Sequence, residues 1–220
     1  MVPRCGSRRL APPFESPSVR QTLKLAALAA ALLIPPTAQA QVSKAPADVR
    51  GGTYVADPNH SKITWSITHF GFSTYVGQFP SVMANLKLDP KALAATTLDA
   101  TIDTAKLGTL NTALDTHLKS ADFLDVAKFP QATFKATSVK STGERTAEIT
   151  GDLTLHGVTK PVTLQATFNQ GGINPIDKKY SLGFQAKGVI KRSEFGVKSY
   201  VPNISDEVTL EIDAEFKAAS

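Results

Sequence analysis

Four histidines are the side chains in this sequence that could support a metal site or acid–base chemistry near neutral pH. They are His60, His69, His117 and His156. His60 and His69 flank one segment of alternating apolar and polar residues. A strand rises about 3.3 Å per residue, so nine positions separate the pair by roughly 30 Å. Nine is also an odd number, which turns the two side chains to opposite faces. We therefore expect no joint metal site.

The rest of the sequence gives little support to catalysis. No two histidines have the close spacing of a zinc site, and the one cysteine, Cys5, lies in an N-terminal segment that we expect to be removed. The sequence contains no Gly-x-Ser-x-Gly elbow and no phosphate-binding glycine loop. We therefore predict that the protein is not an enzyme and has no catalytic residue, no metal ligand and no cofactor.

Two of the histidines have separate interpretations. His60 lies near Asp57 in a segment typical of a turn, where polar side chains cap the local backbone. His69 continues the face that carries Trp65 and Ile67. Three roles stay open for His69: a buried structural histidine, a polar contact to the headgroup of a ligand, or a catalytic group.

Residues 1–40 have the organisation of a secretory signal. Arg20 and Lys24 precede an apolar run over 25–34, and small residues end the segment at Ala40. The run is about half as long as a membrane-spanning helix. We predict cleavage after Ala40 and export, to the periplasm in a cell with two membranes.

Removal of this segment changes the charge of the chain. It carries five of the 24 basic residues and one of the 19 acidic residues, which leaves 19 and 18. The basic pI of about 9.3 therefore belongs mainly to the leader. Nucleic acid is not an expected partner of a nearly neutral domain. We interpret residues 41–52 as a flexible tether and residues 53–220 as a single domain.

Apolar and polar residues alternate in about eight later segments, as in strands with one buried face. Two places depart from this pattern: residues 89–96 favour a helical turn or two, and residues 110–129 favour one helix or two short ones. Asn111 and Ser120 are the predicted N-caps. The strand segments are 62–69, 82–88, 98–103, 132–136, 149–155, 162–168, 180–186 and 208–216.

Such strands predict an all-β domain, closed as a barrel or stacked as a sandwich. The alternation alone leaves both open. Several inward positions are small, which permits a cavity but also suits a tightly packed helix. These positions are Ala84, Ala100, Ala132, Ala136, Ala166 and Ala186.

Four segments together resemble the YceI-like, or polyisoprenoid-binding, family of bacteria. They are "DPNHSKITWSITHFGFSTYVGQF" at 57–79, "LDTHLKSADFLDVAKFPQATF" at 114–134, "GDLTLHGVTKPV" at 151–162 and "KRSEFGV" at 191–197. Their order and spacing extend over residues 53–216. Leu114 departs from the family pattern, which often has arginine there, and this weakens an anion-binding role for that corner of the site.

The resemblance implies an eight-stranded, antiparallel, lipocalin-like barrel with a short helical segment near one opening. It also implies that the interior holds an isoprenoid lipid, such as a polyprenyl compound or an isoprenoid quinone, for transport or storage. The alternatives are a general scavenger of amphiphiles and, less favoured, a lipid-modifying enzyme. Transient membrane contact during ligand exchange and a homodimer stay open. The expected ligand-binding residues are Trp65, Ile67, His69, Phe79, Leu86, Ile102, Phe134 and Phe184, with Leu118 and Phe123 as helical cover.

Overall fold

The computed structural model describes residues 42–219, so the predicted signal segment lies outside the described residues. Ten antiparallel strands form one sheet. They are β1 (Gly52–Ala56), β2 (Lys62–His69), β3 (Ser73–Pro80), β4 (Met83–Leu88), β5 (Thr97–Asp103), β6 (Gln131–Ser141), β7 (Thr146–Leu155), β8 (Val158–Ile173), β9 (Tyr180–Lys191) and β10 (Glu207–Ala218). One α-helix, α1 (Thr112–Lys119), joins four short 3₁₀ turns at Pro46–Asp48, Leu93–Ala95, Thr104–Lys106 and Arg192–Phe195.

Eight of the strands close into a ring. Their order is β1-β4-β5-β6-β7-β8-β9-β10, and β10 returns to pair with β1. The remaining two strands form a hairpin that extends the wall, because β10 pairs with β1 near its C-terminal end and with β2 through Thr209–Asp213. The predicted eight-stranded antiparallel barrel is confirmed. Closure leaves few unpaired strand edges in the ring.

The antiparallel order gives the barrel two distinct ends. We call one end the mouth; it carries the β2–β3, β5–β6, β7–β8 and β9–β10 connections. We call the other end the base; it carries the β4–β5, β6–β7 and β8–β9 connections. Helix α1 belongs to the β5–β6 connection, so it lies on the mouth side, in agreement with the helical segment near one opening that the resemblance implies.

The helical region contains one α-helix followed by turns. Asn111 is its N-cap, as predicted, because its side chain accepts a hydrogen bond from the Leu114 backbone N–H at 3.1 Å. Ser120 is not an N-cap: it ends the helix, and its hydroxyl donates to the His117 carbonyl at 2.7 Å. Within residues 42–219, none of the helices has the length and hydropathy of a membrane span.

Residues 42–51, which lie within the predicted tether of residues 41–52, contact the barrel at two points. Ser43 forms an isolated antiparallel bridge with Gly171 of β8, with backbone hydrogen bonds of 2.7 and 2.8 Å. Val49 is buried in the same apolar cluster as Tyr54 and Phe216. The burial of Val49 could not be predicted from this polar segment, because a single buried valine side chain gives no periodic pattern.

Candidate ligand-binding site

The interior of the barrel contains two apolar cavities. The outer cavity, toward the mouth, has a volume of about 630 Å³, and the inner cavity, toward the base, has about 220 Å³. Residues of four strands line both cavities and form a waist between them. These shared residues are Ile63, Ile102, Leu153 and Leu210.

All ten residues predicted to bind the ligand line these cavities. The outer cavity takes Trp65, Ile67, His69, Phe79, Ile102, Leu118 and Phe123. The inner cavity takes Leu86, Phe134 and Phe184, together with Ile102. For the eight residues that lie on strands, side-chain parity explains this agreement, because every second residue of a barrel strand points inward. Contact of these residues with a ligand stays a prediction.

The small inward residues also have defined positions. Ala132 lines the outer cavity, whereas Ala84, Ala100, Ala166 and Ala186 line the inner one. Ala136 instead packs against the cluster that contains Phe134 and Phe195. Most of these alanines therefore leave space in the barrel interior.

Trp65 forms part of the outer cavity wall. It is only 8% exposed and lies opposite Gly77 in the β2–β3 register. A Cβ atom on Gly77 would overlap the indole ring, so the ring occupies the space that a side chain would need. The indole Nε1 atom is buried without a hydrogen-bond partner among residues 42–219.

His69 lies at the rim of the outer cavity. It ends β2, bridges to Ile204 and packs edge-on against Phe70, with 4.7 Å between ring centroids. Its side chain is exposed, so the interpretation of a buried structural histidine is wrong. The end of β2 rises above the ring of strands, which the alternation pattern could not show.

Helix α1 covers one side of the outer cavity. Leu114 and Leu118 face the cavity, so the position where the family often has arginine is part of its apolar lining. His117 packs edge-on against Phe123 at 4.8 Å, and Tyr200 lies 6.3 Å from His117. The helix and the β9–β10 connection therefore meet at the rim through aromatic rings.

Arg192 organises the β9–β10 connection at the mouth. It is 6% exposed and lines the outer cavity. Its Nε donates to the Ser205 carbonyl at 3.0 Å and its Nη2 to the Ile204 carbonyl at 2.9 Å. Its Nη1 donates to the carbonyls of Val197 and Ser199 at 3.1 and 2.8 Å. The guanidinium thus ties both sides of the connection together.

The charge of Arg192 is balanced only from a distance. Burial lowers the pKa of Arg192, and the nearby carboxylate of Asp206 acts in the opposite direction. Asp206 accepts hydrogen bonds from the backbone N–H and the hydroxyl of Ser193, at 2.8 and 2.7 Å. The carbonyl oxygens of the connection therefore provide the direct solvation of the buried cation.

A cluster of charged residues toward the base places three possible metal-ligand side chains close together. Donor atoms of Asp57, His60 and Glu215 lie within 4.8 Å of one another. The same Asp57 Oδ2 accepts from His60 Nδ1 at 2.8 Å and from Lys217 Nζ at 2.7 Å. Because an ammonium and an imidazole already use this oxygen, the cluster is an ion-paired brace of the β1–β2 turn. His60 is a turn residue, as predicted.

The sequence reasoning missed several residues of the outer cavity. Arg192 lies within the "KRSEFGV" segment that supports the family resemblance, so that motif carried a signal. Some of the other missed residues lie on predicted strands, and the rest lie on β3 or in connections that have no periodic pattern. They include Tyr75, Leu107, Val197, Tyr200 and Ile204.

A closed antiparallel barrel with an apolar cavity beneath a short helix defines the lipocalin-like class of β-barrels. Comparison with known proteins identifies the group within this class. The family profile of the YceI-like domain matches residues 54–216, and the chain belongs to that family.

Individual relatives agree with this assignment. A UPF0312 protein of Pseudomonas putida (strain W619) is 43% identical over 154 residues, which cover 70% of this chain and 78% of that protein. The crystal structure of BcnA from Burkholderia cenocepacia has a TM-score of 0.66 at 26% identity and covers 73% of this chain and 98% of that one. A polyisoprenoid-binding domain from Saccharophagus degradans shares the fold, with a TM-score of 0.60 at 14% identity over 76% of this chain and 98% of that one.

Proposed function

We propose that this protein is an exported carrier or reservoir that holds an isoprenoid lipid inside its barrel and does not transform it. A polyprenyl compound or an isoprenoid quinone is the proposed ligand. The outer cavity is the observation that carries the proposal, because 630 Å³ of apolar space remains unfilled by side chains. The description of the Saccharophagus degradans domain as polyisoprenoid-binding supports it.

The capacity of the barrel suits a long apolar chain. An apolar cavity of about 150 Å³ binds one benzene molecule, or about 25 Å³ per carbon. On that scale the outer cavity of 630 Å³ holds roughly 25 carbons and the inner cavity of 220 Å³ roughly nine. Burial contributes about 0.8 kcal/mol per methylene-sized group before ordering costs. Affinity therefore needs no catalytic group.

The rim is the place for a headgroup. Polar groups line the outer cavity at the mouth on His69, Ser73, His117 and Tyr200. The remaining lining is mostly apolar, and the guanidinium of the buried Arg192 is already bonded to backbone carbonyls. A chain lodged in the interior would leave its polar end among the polar side chains at the mouth. In such pockets, a small number of convergent polar groups fixes the orientation of the ligand.

Organic extraction of gently purified protein, followed by mass spectrometry, tests the proposal. We expect a prenyl lipid, recovered chemically unchanged after incubation with the protein. Two variants of adjacent residues supply the control: Ala132→Phe fills the outer cavity, whereas Thr133→Phe places the same ring on the outside of β6. The Ala132→Phe variant should lose the lipid and the Thr133→Phe variant should keep it. Recovery of no amphiphile, with no quenching of Trp65 fluorescence by added prenyl lipid, would contradict the proposal.

A general amphiphile scavenger is the second candidate. The mainly apolar lining of both cavities favours it, because such a surface has few groups that distinguish one chain from another. Titration of Trp65 fluorescence with prenyl and unbranched chains of equal carbon number separates the two candidates. Comparable affinities would support the scavenger, and a preference for prenyl chains of tenfold or more would support the isoprenoid carrier.

A further inference from the structure

The β2–β3 turn projects aromatic side chains beyond the mouth. Phe72 is 91% exposed and Phe70 is 48% exposed. Phe70 and Gly71 have positive φ angles of 50° and 74°, and the Phe72 N–H donates to the His69 carbonyl at 3.0 Å. Positive φ at both central residues is typical of a tight type I′ hairpin turn. A tight turn on paired strands therefore holds these rings in water.

The turn is held against the β9–β10 connection. The Phe70 N–H donates to the Asn203 carbonyl at 2.9 Å, and that connection carries Tyr200, which is 55% exposed. Phe70 and Tyr200 also line the outer cavity. We call Phe70, Phe72 and Tyr200 the mouth patch. This patch is continuous with the opening of the cavity.

Charge distinguishes the mouth patch from the base. Residues 63–86, which include the β2–β3 hairpin, contain no Asp, Glu, Lys or Arg. Residues 196–205 contain one charged residue, Lys198, which is exposed. The base connection 174–179 instead reads "NPIDKK". An uncharged tip enters the headgroup region of a bilayer without the cost of desolvating charge. The exposed residues Lys198 and Asp122 flank the tip with opposite charges, and the Asp122 carbonyl accepts a hydrogen bond from Ser199 Oγ at 2.7 Å.

We propose that the mouth patch docks on the surface of a lipid bilayer. Phe72 and Phe70 insert at the level of the headgroups, where amphipathic aromatic and apolar side chains anchor proteins. Tyr200 and Lys198 lie at the interface beside them. Docking in this orientation turns the cavity opening toward the lipid, so that a chain enters the barrel without crossing water. This step rests on the proposed carrier function.

Flotation with vesicles of phosphatidylglycerol and phosphatidylcholine tests the docking surface. The protein is purified after production and processing in a bacterial host. Every variant has the same N-terminus, so the N-terminus cannot cause a difference in vesicle binding between variants. Phe72→Ser should lower the partition coefficient about tenfold, in line with the loss of one buried aromatic ring. Ile176→Ser is the matched control, because Ile176 is 90% exposed at the base. It should bind vesicles as the unmodified protein does.

A second measurement separates docking from ligand binding. Prenyl lipid delivered from detergent should quench Trp65 fluorescence equally in the unmodified protein and in Phe72→Ser, whereas uptake from vesicles should slow in the variant. Equal vesicle binding by both proteins would overturn the docking proposal and leave the carrier function standing. If prenyl lipid delivered from detergent does not quench Trp65 fluorescence in the unmodified protein, the carrier function is overturned instead. A Phe72-dependent dimer in sedimentation, without vesicle binding, would show that the mouth patch contacts a second copy and would also overturn docking.

Discussion

Trp65 and Gly77 occupy directly opposed positions on β2 and β3, and the indole of Trp65 fills the space above Gly77. A methyl group at position 77 would overlap the ring, and Thr109 closes the same site from another side. The absence of a side chain on one strand therefore sets the position of the largest side chain in the outer cavity wall.

Gly77→Ala should displace the indole of Trp65 into the outer cavity. Overpacking of this kind costs about 1–3 kcal/mol, so we expect the free energy of unfolding to fall by that amount. Urea denaturation measures the loss, and Trp65 fluorescence reports the new environment of the ring. Gly183→Ala is the control, since its new Cβ would meet Asn169 at an ordinary 3.5 Å. Equal stability of the two variants would contradict this packing argument.

The acid stability of the barrel should depend on Asp57. Hydrogen bonds from Lys217 and then His60 lower the pKa of this buried carboxyl. A carboxyl with a lowered folded-state pKa stabilises the protein above its unfolded pKa of about 3.9, and this contribution is lost as the pH falls toward the folded pKa.

Asp57→Asn should therefore destabilise the protein at pH 7 by about 1–3 kcal/mol. The difference in unfolding free energy between this variant and the unmodified protein should decrease as the pH falls below about 4. Urea midpoints at pH 7 and pH 3 measure it. Asp99→Asn is a suitable control, because Asp99 forms no ion pair among the described residues. A difference that is independent of pH would mean that charge at Asp57 is not the cause.

Arg192→Lys should loosen the β9–β10 connection at the mouth. Lysine keeps the charge but cannot direct hydrogen bonds to four carbonyls on both sides of the connection. We expect a loss of about 2–4 kcal/mol in unfolding free energy and faster proteolysis at Lys198 or Tyr200. Arg145→Lys gives up similar bonds to the Phe168 and Asn169 carbonyls at the base. Equal rates of proteolysis at Lys198 or Tyr200 in the two variants would contradict the proposed role of Arg192 in holding the β9–β10 connection.

Alternation in the sequence predicted seven of the eight ring strands and which of their residues face inward, but the choice of a barrel over a sandwich came from the family resemblance. Alternation missed β1, which has five residues, and β3, where Gly77 interrupts the apolar pattern. It also ended β6 and β8 too early, because a bulge shifts the period between Ala136 and Ser138 and between Phe168 and Gln170. The alternation of inward and outward side chains therefore identified the strand residues that line the cavities.

The rim of the site was not predictable in the same way. Tyr200 reaches the mouth because Arg192 gathers the carbonyls of its connection, and this is a contact between residues that have no common period. The exposure of His69 follows from the extension of the β2–β3 hairpin beyond the ring, which depends on the pairing of β10 with two different strands. Such tertiary relationships leave no pattern in a single sequence.

The inner cavity should limit the length of the bound chain, if the ligand is a prenyl lipid as proposed. Ala186 lines only this cavity, and the three additional carbons of leucine would remove about 75 Å³ of its 220 Å³. Ala186→Leu should therefore shorten the longest retained chain by about one prenyl unit, while chains that fit in the outer cavity bind as before.

An equimolar mixture of prenyl alcohols of graded length, offered to each variant and analysed by mass spectrometry, measures this limit. Val189→Leu is the control on the same strand, because Val189 is 55% exposed on the outside of the barrel. An unchanged length distribution in Ala186→Leu would show that the chain stops at the waist of Ile63, Ile102, Leu153 and Leu210. The same shift in both variants would indicate a general loosening of β9 rather than a filled cavity. A shift in Ala186→Leu alone places the far end of the chain beyond the waist, against β9.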